Sequence, residues 1–144
     1  MQLHHVTLFV RDADRSITFY RDGLGFTILL DREFDGDWPA LFGVESKRLR
    51  AVILGDPDRP HQVELVTFAE PVPDGPPLGA PTTRTAILTF IVDLEAMLPA
   101  LLEVGATDLR RTTLSNGNAA ATVRDPDGNM VQLLDAGRRT GPRS

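Results

Sequence analysis

The strongest constraint on this chain is an order of elements that occurs twice. A strand-like run at 3–10, Leu-His-His-Val-Thr-Leu-Phe-Val, leads into a helix-like segment at 11–22, and strand-like runs follow at 26–32, 48–54 and 61–68. After a stretch of different character the order returns, with a strand at 85–92, a helix at 93–104, and strands at 108–114, 119–124 and 130–135. Val10 stands before Asp12 and the first helix as Val92 stands before Asp93 and the second, and the helices end at Gly23 and Gly105. Asp12 or Asp14 can accept a bond from a free first-turn amide, and glycine can take the left-handed conformation that closes a helix. One helix covers one face of a small sheet, so two such units are expected to pair and enclose a cleft. The expected fold is α+β: two tandem βαβββ modules, 1–68 and 85–135, forming curved mixed sheets around a cleft with the helices on the outer faces.

Local signals place the connections. Five prolines and two glycines without periodicity mark 69–84 as a linker, and 136–144 reads as a mobile tail. Pro39 suits the start of a short helical turn at 39–43, where its missing amide costs nothing. Gly55-Asp56-Pro57-Asp58 and Asp125-Pro126-Asp127-Gly128 are turn-forming sets between strands. Pro99 falls inside the second helix, so that helix is expected to start late or to kink. Trp38, the only tryptophan, follows the polar loop at 35–37 and reads either as a lid or stacking platform or as an anchor for that loop.

Composition excludes several functions. With no cysteine among 144 residues, disulfides, thiolate catalysis and Cys-type metal sites are ruled out, leaving His, Asp, Glu and neutral oxygens as ligands. The formal charge of −5 argues against general nucleic-acid binding, although arginines gather at Arg110 and Arg111 and at Arg138, Arg139 and Arg143. No apolar run approaches the roughly 20 residues of a membrane helix. No basic leader and apolar segment precede the first strand, so a cytoplasmic location is expected.

Alternation on the first strand puts His5, Thr7 and Phe9 on one face and His4, Val6, Leu8 and Val10 on the other. The run at 3–10, Phe-Tyr-Arg-Asp-Gly-Leu-Gly-Phe at 19–26, Val-Glu-Leu at 63–65 and Asp-Pro-Asp-Gly-Asn at 125–129 together resemble the vicinal oxygen chelate superfamily. That superfamily includes glyoxalase I, methylmalonyl-CoA epimerase, extradiol dioxygenases, fosfomycin-resistance transferases and bleomycin-resistance proteins. The resemblance implies one metal ligand on the first and one on the last strand of each module. His5 and Glu64 stand at the first two such positions; Ile87 and Gln132 stand where the metal enzymes have histidine and glutamate. Ile87 coordinates nothing and Gln132 is a poorer ligand than a carboxylate, so no tightly bound metal is favoured. Were an ion bound, His5, Glu64 and Gln132 would hold Fe, Mn, Ni, Co or Zn. His4 faces the helix side, and His61 is out of phase with Glu64; both read as structural.

The expected ligand-binding residues are His5, Thr7, Phe9, Trp38, Glu64, Val66, Phe68, Ile87, Thr89, Met130 and Gln132, a mostly apolar set with a few polar groups, although core packing explains Phe9, Ile87 and Met130 equally well. The leading expectation is a protein that holds an apolar or aromatic small molecule, as the bleomycin-resistance branch does, without metal. The alternatives are a metal-dependent isomerase, lyase or oxygenase, metal-free general-base catalysis by Glu64 beside His5, and a non-catalytic interaction module. Catalysis itself is left open, and the resemblance implies a homodimer.

Overall fold

The computed structural model describes residues 1–59 and 62–137; the expectations placed on His61 and on the tail beyond residue 137 lie outside them. The chain divides into two compact units, Met1–Gly79 and Ala80–Ser144. The first contains β1 (Val6–Phe9), α1 (Ala13–Thr18), β2 (Thr27–Asp35), α2 (Trp38–Phe42), β3 (Arg48–Gly55) and β4 (Gln62–Phe68). The second contains β5 (Leu88–Val92), α3 (Leu94–Glu103), β6 (Thr107–Thr113), β7 (Ala119–Arg124) and β8 (Met130–Asp135). Each unit has one four-stranded mixed sheet, ordered β1-β4-β3-β2 and β5-β8-β7-β6. The first and last strands of each run parallel, and the other neighbours are antiparallel. These are the tandem βαβββ modules of the expected fold.

The repetition extends to single bonds. Asp56 Oδ1 accepts the Asp58 amide at 2.9 Å and its carbonyl accepts the Arg59 amide at 3.0 Å. Asp125 does the same for the amides of Asp127, at 3.0 Å, and Gly128, at 2.9 Å. The edge strands β2 and β6 also carry a bulge each, between Ile28 and Leu30 and between Thr107 and Arg110. A bulge adds local twist and blunts an edge that would otherwise invite further pairing.

The helices lie where the apolar phase of the strands requires cover. In the first unit α1 packs on β3 and β4. Its buried Ile17, with Phe19 and Tyr20 just after it, belongs to the same core as Val52, Leu54, Val63 and Leu65. In the second, α3 packs on β7 and β8, burying Leu94, Leu98 and Leu101 along with Val123, Val131 and Leu133. Each such fully buried side chain contributes about 1.5–3 kcal/mol of transfer free energy. Arg50 ties α1 to the sheet by bonding Asp14 at 3.0 Å and Asp31 at 2.8 Å. That hydrogen bond holds the Asp31 carboxyl below its usual range.

Several boundaries differ from the sequence expectation. The first helix does not run regularly to Gly23: α1 stops at Thr18 and a π-helical turn, Phe19–Gly23, follows. Gly25, at φ 78, is the left-handed residue that closes it, with its amide on the Arg21 carbonyl at 3.0 Å and the Phe26 amide on that of Tyr20 at 3.1 Å. The wider turn accompanies complete burial of two adjacent rings, Phe19 and Tyr20, each 0% exposed. β2 continues to Asp35 because Phe34 pairs with Leu49 and Asp35 with Arg48, whose guanidinium bonds the Asp35 carboxylate at 2.8 Å. β5 begins only at Leu88, since Thr82 and Thr85 close a turn on each other before it. α3 does not start late: Asp93 caps it by accepting the Ala96 amide at 3.2 Å. Pro99 therefore lies beyond the first turn, and the helix forgoes the bond to the Glu95 carbonyl. Within 69–79, Val72 packs on the sheet of the first unit and Asp74 pairs with Arg11.

Candidate functional site

Arg50 and its partner Asp14 mark the α1 side of the first sheet. Alternation therefore places Thr7 and Phe9 of β1, and Glu64, Val66 and Phe68 of β4, on the face away from the helix. Thr7 lies opposite Glu64 in the parallel register, and its hydroxyl donates to Glu64 Oε1 at 3.0 Å. His5, just before β1, brings Nε2 to 3.5 Å from the same oxygen, and its Nδ1 is 2.7 Å from His4 Nδ1. Glu64 Oε2 has no partner among the described residues. The Glu64 side chain is 18% exposed and that of His5 30%, so both remain partly accessible to solvent.

Next to this trio stands an aromatic group. Phe9 stacks on Phe68 with ring centres 5.7 Å apart and meets Phe42 edge-on at 5.8 Å, while Trp38 stacks on Phe42 at 6.0 Å. Val66 and Phe68 are each 3% exposed, because Trp38, Phe34, Val44 and Val72 pack over them and their neighbours Leu49 and Ala51. They form a floor. The surfaces open to a ligand are Phe9, 43% exposed, and Phe42, 45% exposed. Trp38 opens α2, is half-buried, and donates from its indole N–H to the Phe34 carbonyl at 3.3 Å, which anchors the loop.

Gly36 is required for that anchor. A Cβ there would stand 2.9 Å from Trp38 Cζ2 and 3.0 Å from Cε2, inside van der Waals contact. Gly36→Ala is expected to displace the ring, shift the emission of the only tryptophan and cost about 1–3 kcal/mol in a urea titration.

The second unit repeats the polar pair with different chemistry. Thr89 lies opposite Gln132 and donates to its Oε1 at 2.9 Å, as Thr7 does to Glu64. That bond orients the amide so that its NH2, a donor, is the end left for other contacts. Ile87 precedes β5 as His5 precedes β1 and is 41% exposed. Met130 opens β8, half-buried and opposite Arg124. Arg110, Thr112, Ala120, Thr122 and Gln132 line a shallow hollow on this sheet. Two residues with site character carried no expectation from sequence. Phe42 was signalled by its i,i+4 spacing from Trp38, and Arg32 by its phase with Leu30 and Phe34 on β2.

A resident divalent ion needs three or four strong donors. Among the described residues no group of three or more His, Asp or Glu side chains comes together. The first unit offers one imidazole and one carboxylate, while at the repeated positions Ile87 has no donor atom and Gln132 has its oxygen engaged by Thr89. Of the four positions, His5 and Glu64 therefore supply the two strong donors.

Known proteins share this fold. The chain is 31% identical over 148 residues to the lactoylglutathione lyase-like protein terB of Aspergillus terreus, spanning 92% of this chain and 74% of that one. Its structure is similar to that of a glyoxalase family protein from Bacillus cereus, with TM-score 0.75, 20% identity, and 94% and 93% of the two chains covered. It is also similar to the trypanothione-dependent glyoxalase I of Leishmania major, with TM-score 0.65, 23% identity, and 94% and 86% covered. The family model for the Glyoxalase/Bleomycin resistance protein/Dioxygenase superfamily matches residues 2–133, and the chain belongs to that superfamily.

Proposed function

We propose that this protein binds a small aromatic molecule on the helix-distal face of its first unit, without a resident metal ion. The observation that carries the reading is the exposed pair Phe9 and Phe42 standing on the same sheet face as the His5–Thr7–Glu64 network. An apolar, aromatic surface with a few convergent polar groups is the usual composition of a small-molecule site. The exposed Ile87 and Ile91 of the second unit, 41% and 76%, support pairing of two copies as part of the reading.

Trp38, in ring contact with Phe42, makes the test direct. Titration with hydroxylated naphthalenes and coumarins is expected to give a saturable change in its fluorescence. Phe9→Ala and Phe42→Ala should each weaken binding by about tenfold. No response across the panel, or stoichiometric metal that His5→Ala removes, would overturn the proposal.

A second reading is favoured by one observation: Glu64 is fixed through Oε1 by Thr7 and approached by His5, while Oε2 remains free among the described residues. A carboxylate so placed can take a proton from a ligand hydroxyl or activated C–H, with His5 beside it to stabilise or relay the proton. The lyase-like name of the Aspergillus relative agrees with such chemistry. The alternative with an ion on His5, Glu64 and Gln132 is disfavoured by the engagement of Gln132 with Thr89.

A further inference from the structure

We infer that the ligand of this face carries an anionic group, a carboxylate or one of like charge and shape, and that Arg32 binds it. The inference rests on the aromatic-binding reading and adds to it a charge and a direction. Arg32 pairs with Ala51, Ala51 with Val66 and Val66 with Phe9, so these four form one row across the helix-distal face. The guanidinium carbon lies 5.2 Å from the centre of the Phe34 ring, a cation–π contact that holds the planar group over the apolar floor.

What separates Arg32 from the neighbouring arginines is its lack of a counter-charge. Arg48 bonds Asp35 and lies 3.7 Å from Glu33, and Arg50 bonds Asp31 and Asp14. The acidic residues flanking Arg32 in sequence, Asp31 and Glu33, alternate to the other face and are engaged there by those two arginines. Arg32 has no carboxylate partner among the described residues. A fixed, unpaired guanidinium presents the fork of N–H donors that recognises carboxylates in a bidentate manner. Ala51 and Val66, 4% and 3% exposed, lie under the layer that includes Phe34 and Trp38, so a ligand reaching from the guanidinium to Phe9 and Phe42 lies on top of that layer.

The opposite side of the face has the opposite sign. Glu64, on β4 two residues before Val66, would repel an anion placed beside Thr7. The ligand is therefore oriented with its anionic end toward β2 and its ring over Phe9 and Phe42. Its neutral end, a hydroxyl or acidic C–H, meets Glu64 and His5.

Calorimetric titration of 2-naphthoate and its neutral counterpart 2-naphthamide tests this. The wild-type protein is expected to prefer the anion by roughly tenfold or more, the range of one charge-assisted pair. Arg32→Met should bring the two affinities within about twofold of each other with the thermal midpoint unchanged, because Arg32 is exposed on an edge strand. Arg15→Met, on the exposed side of α1, should leave the preference intact. Equal wild-type affinities, a preference that survives Arg32→Met, or one abolished equally by Arg15→Met would overturn the role of Arg32 while leaving the aromatic site standing. Failure of both probes to bind the wild-type protein would overturn the aromatic-binding reading and this one with it.

Discussion

If Glu64 is the general base of the second reading, Glu64→Gln is expected to lower turnover by about 10²- to 10⁴-fold while leaving ligand affinity within about twofold. Glutamine has the same shape, and its Oε1 can still accept the Thr7 hydroxyl that now stands 3.0 Å from the Glu64 oxygen. The side chain therefore stays in place, and only its capacity to take a proton is lost. Deuterium exchange into the bound ligand, followed by NMR in heavy water, reads the proton step directly, and calorimetry on the same sample reads affinity. A glutamine variant that exchanges protons at the wild-type rate would remove the general-base reading and leave binding alone. If binding fell with turnover, Glu64 would instead be a contact needed to hold the ligand.

Asp125→Ala is expected to destabilise the protein by about 3 kcal/mol, a drop on the order of 1–2 M in the urea midpoint. Asp125 is 2% exposed, and its carboxylate accepts the amides of Asp127 at 3.0 Å and Asn129 at 2.9 Å and the Asn129 side-chain amide at 3.0 Å. Arg124 adds a bond from its guanidinium to the Gly128 carbonyl at 2.8 Å, and Gly128 itself sits at φ 89. Alanine would leave two backbone donors without their acceptor beside a buried position in a half-buried turn, which costs more than the bonds are worth when made. The turn joins β7 to β8, so the positions of Met130 and Gln132 should loosen as well. The equivalent turn at Asp56 is a control within the same chain. Its carboxylate accepts the Asp58 amide at 2.9 Å in an exposed setting, and Asp56→Ala should cost about 1 kcal/mol or less. Comparable losses at both turns would show that burial is not what makes Asp125 important.

The two turns also show why so much of the fold could be read in advance. Asp-Pro-Asp sets, helix-capping aspartates and period-two strands act through neighbours in the chain, and the same local chemistry produced the same unit twice. The π-helical turn escaped this reading because it accompanies the burial of Phe19 and Tyr20 against a sheet, a demand that comes from outside the segment. The strand expected from residue 85 begins only at Leu88 because Thr82 and Thr85 close a turn before it, which leaves Ile87 just ahead of β5 as His5 is just ahead of β1.

At the site, alternation was enough to group His5, Thr7 and Phe9 and to group Glu64 with Val66 and Phe68. That Thr7 meets Glu64, 57 residues away, required the parallel register of β1 and β4. That Val66 and Phe68 are floor and Phe42 is surface required α2 to fold over the sheet, and that Arg32 stands unpaired required Asp31 and Glu33 to find other arginines. The sequence by itself determined the duplicated units, their turns and the face on which polar groups collect, because these follow from the spacing of adjacent residues. Which of those groups are covered, which charges are neutralised and which remain for a ligand were decided only by the tertiary structure, because burial and ion pairing depend on strands and loops that are distant in the chain and close in space.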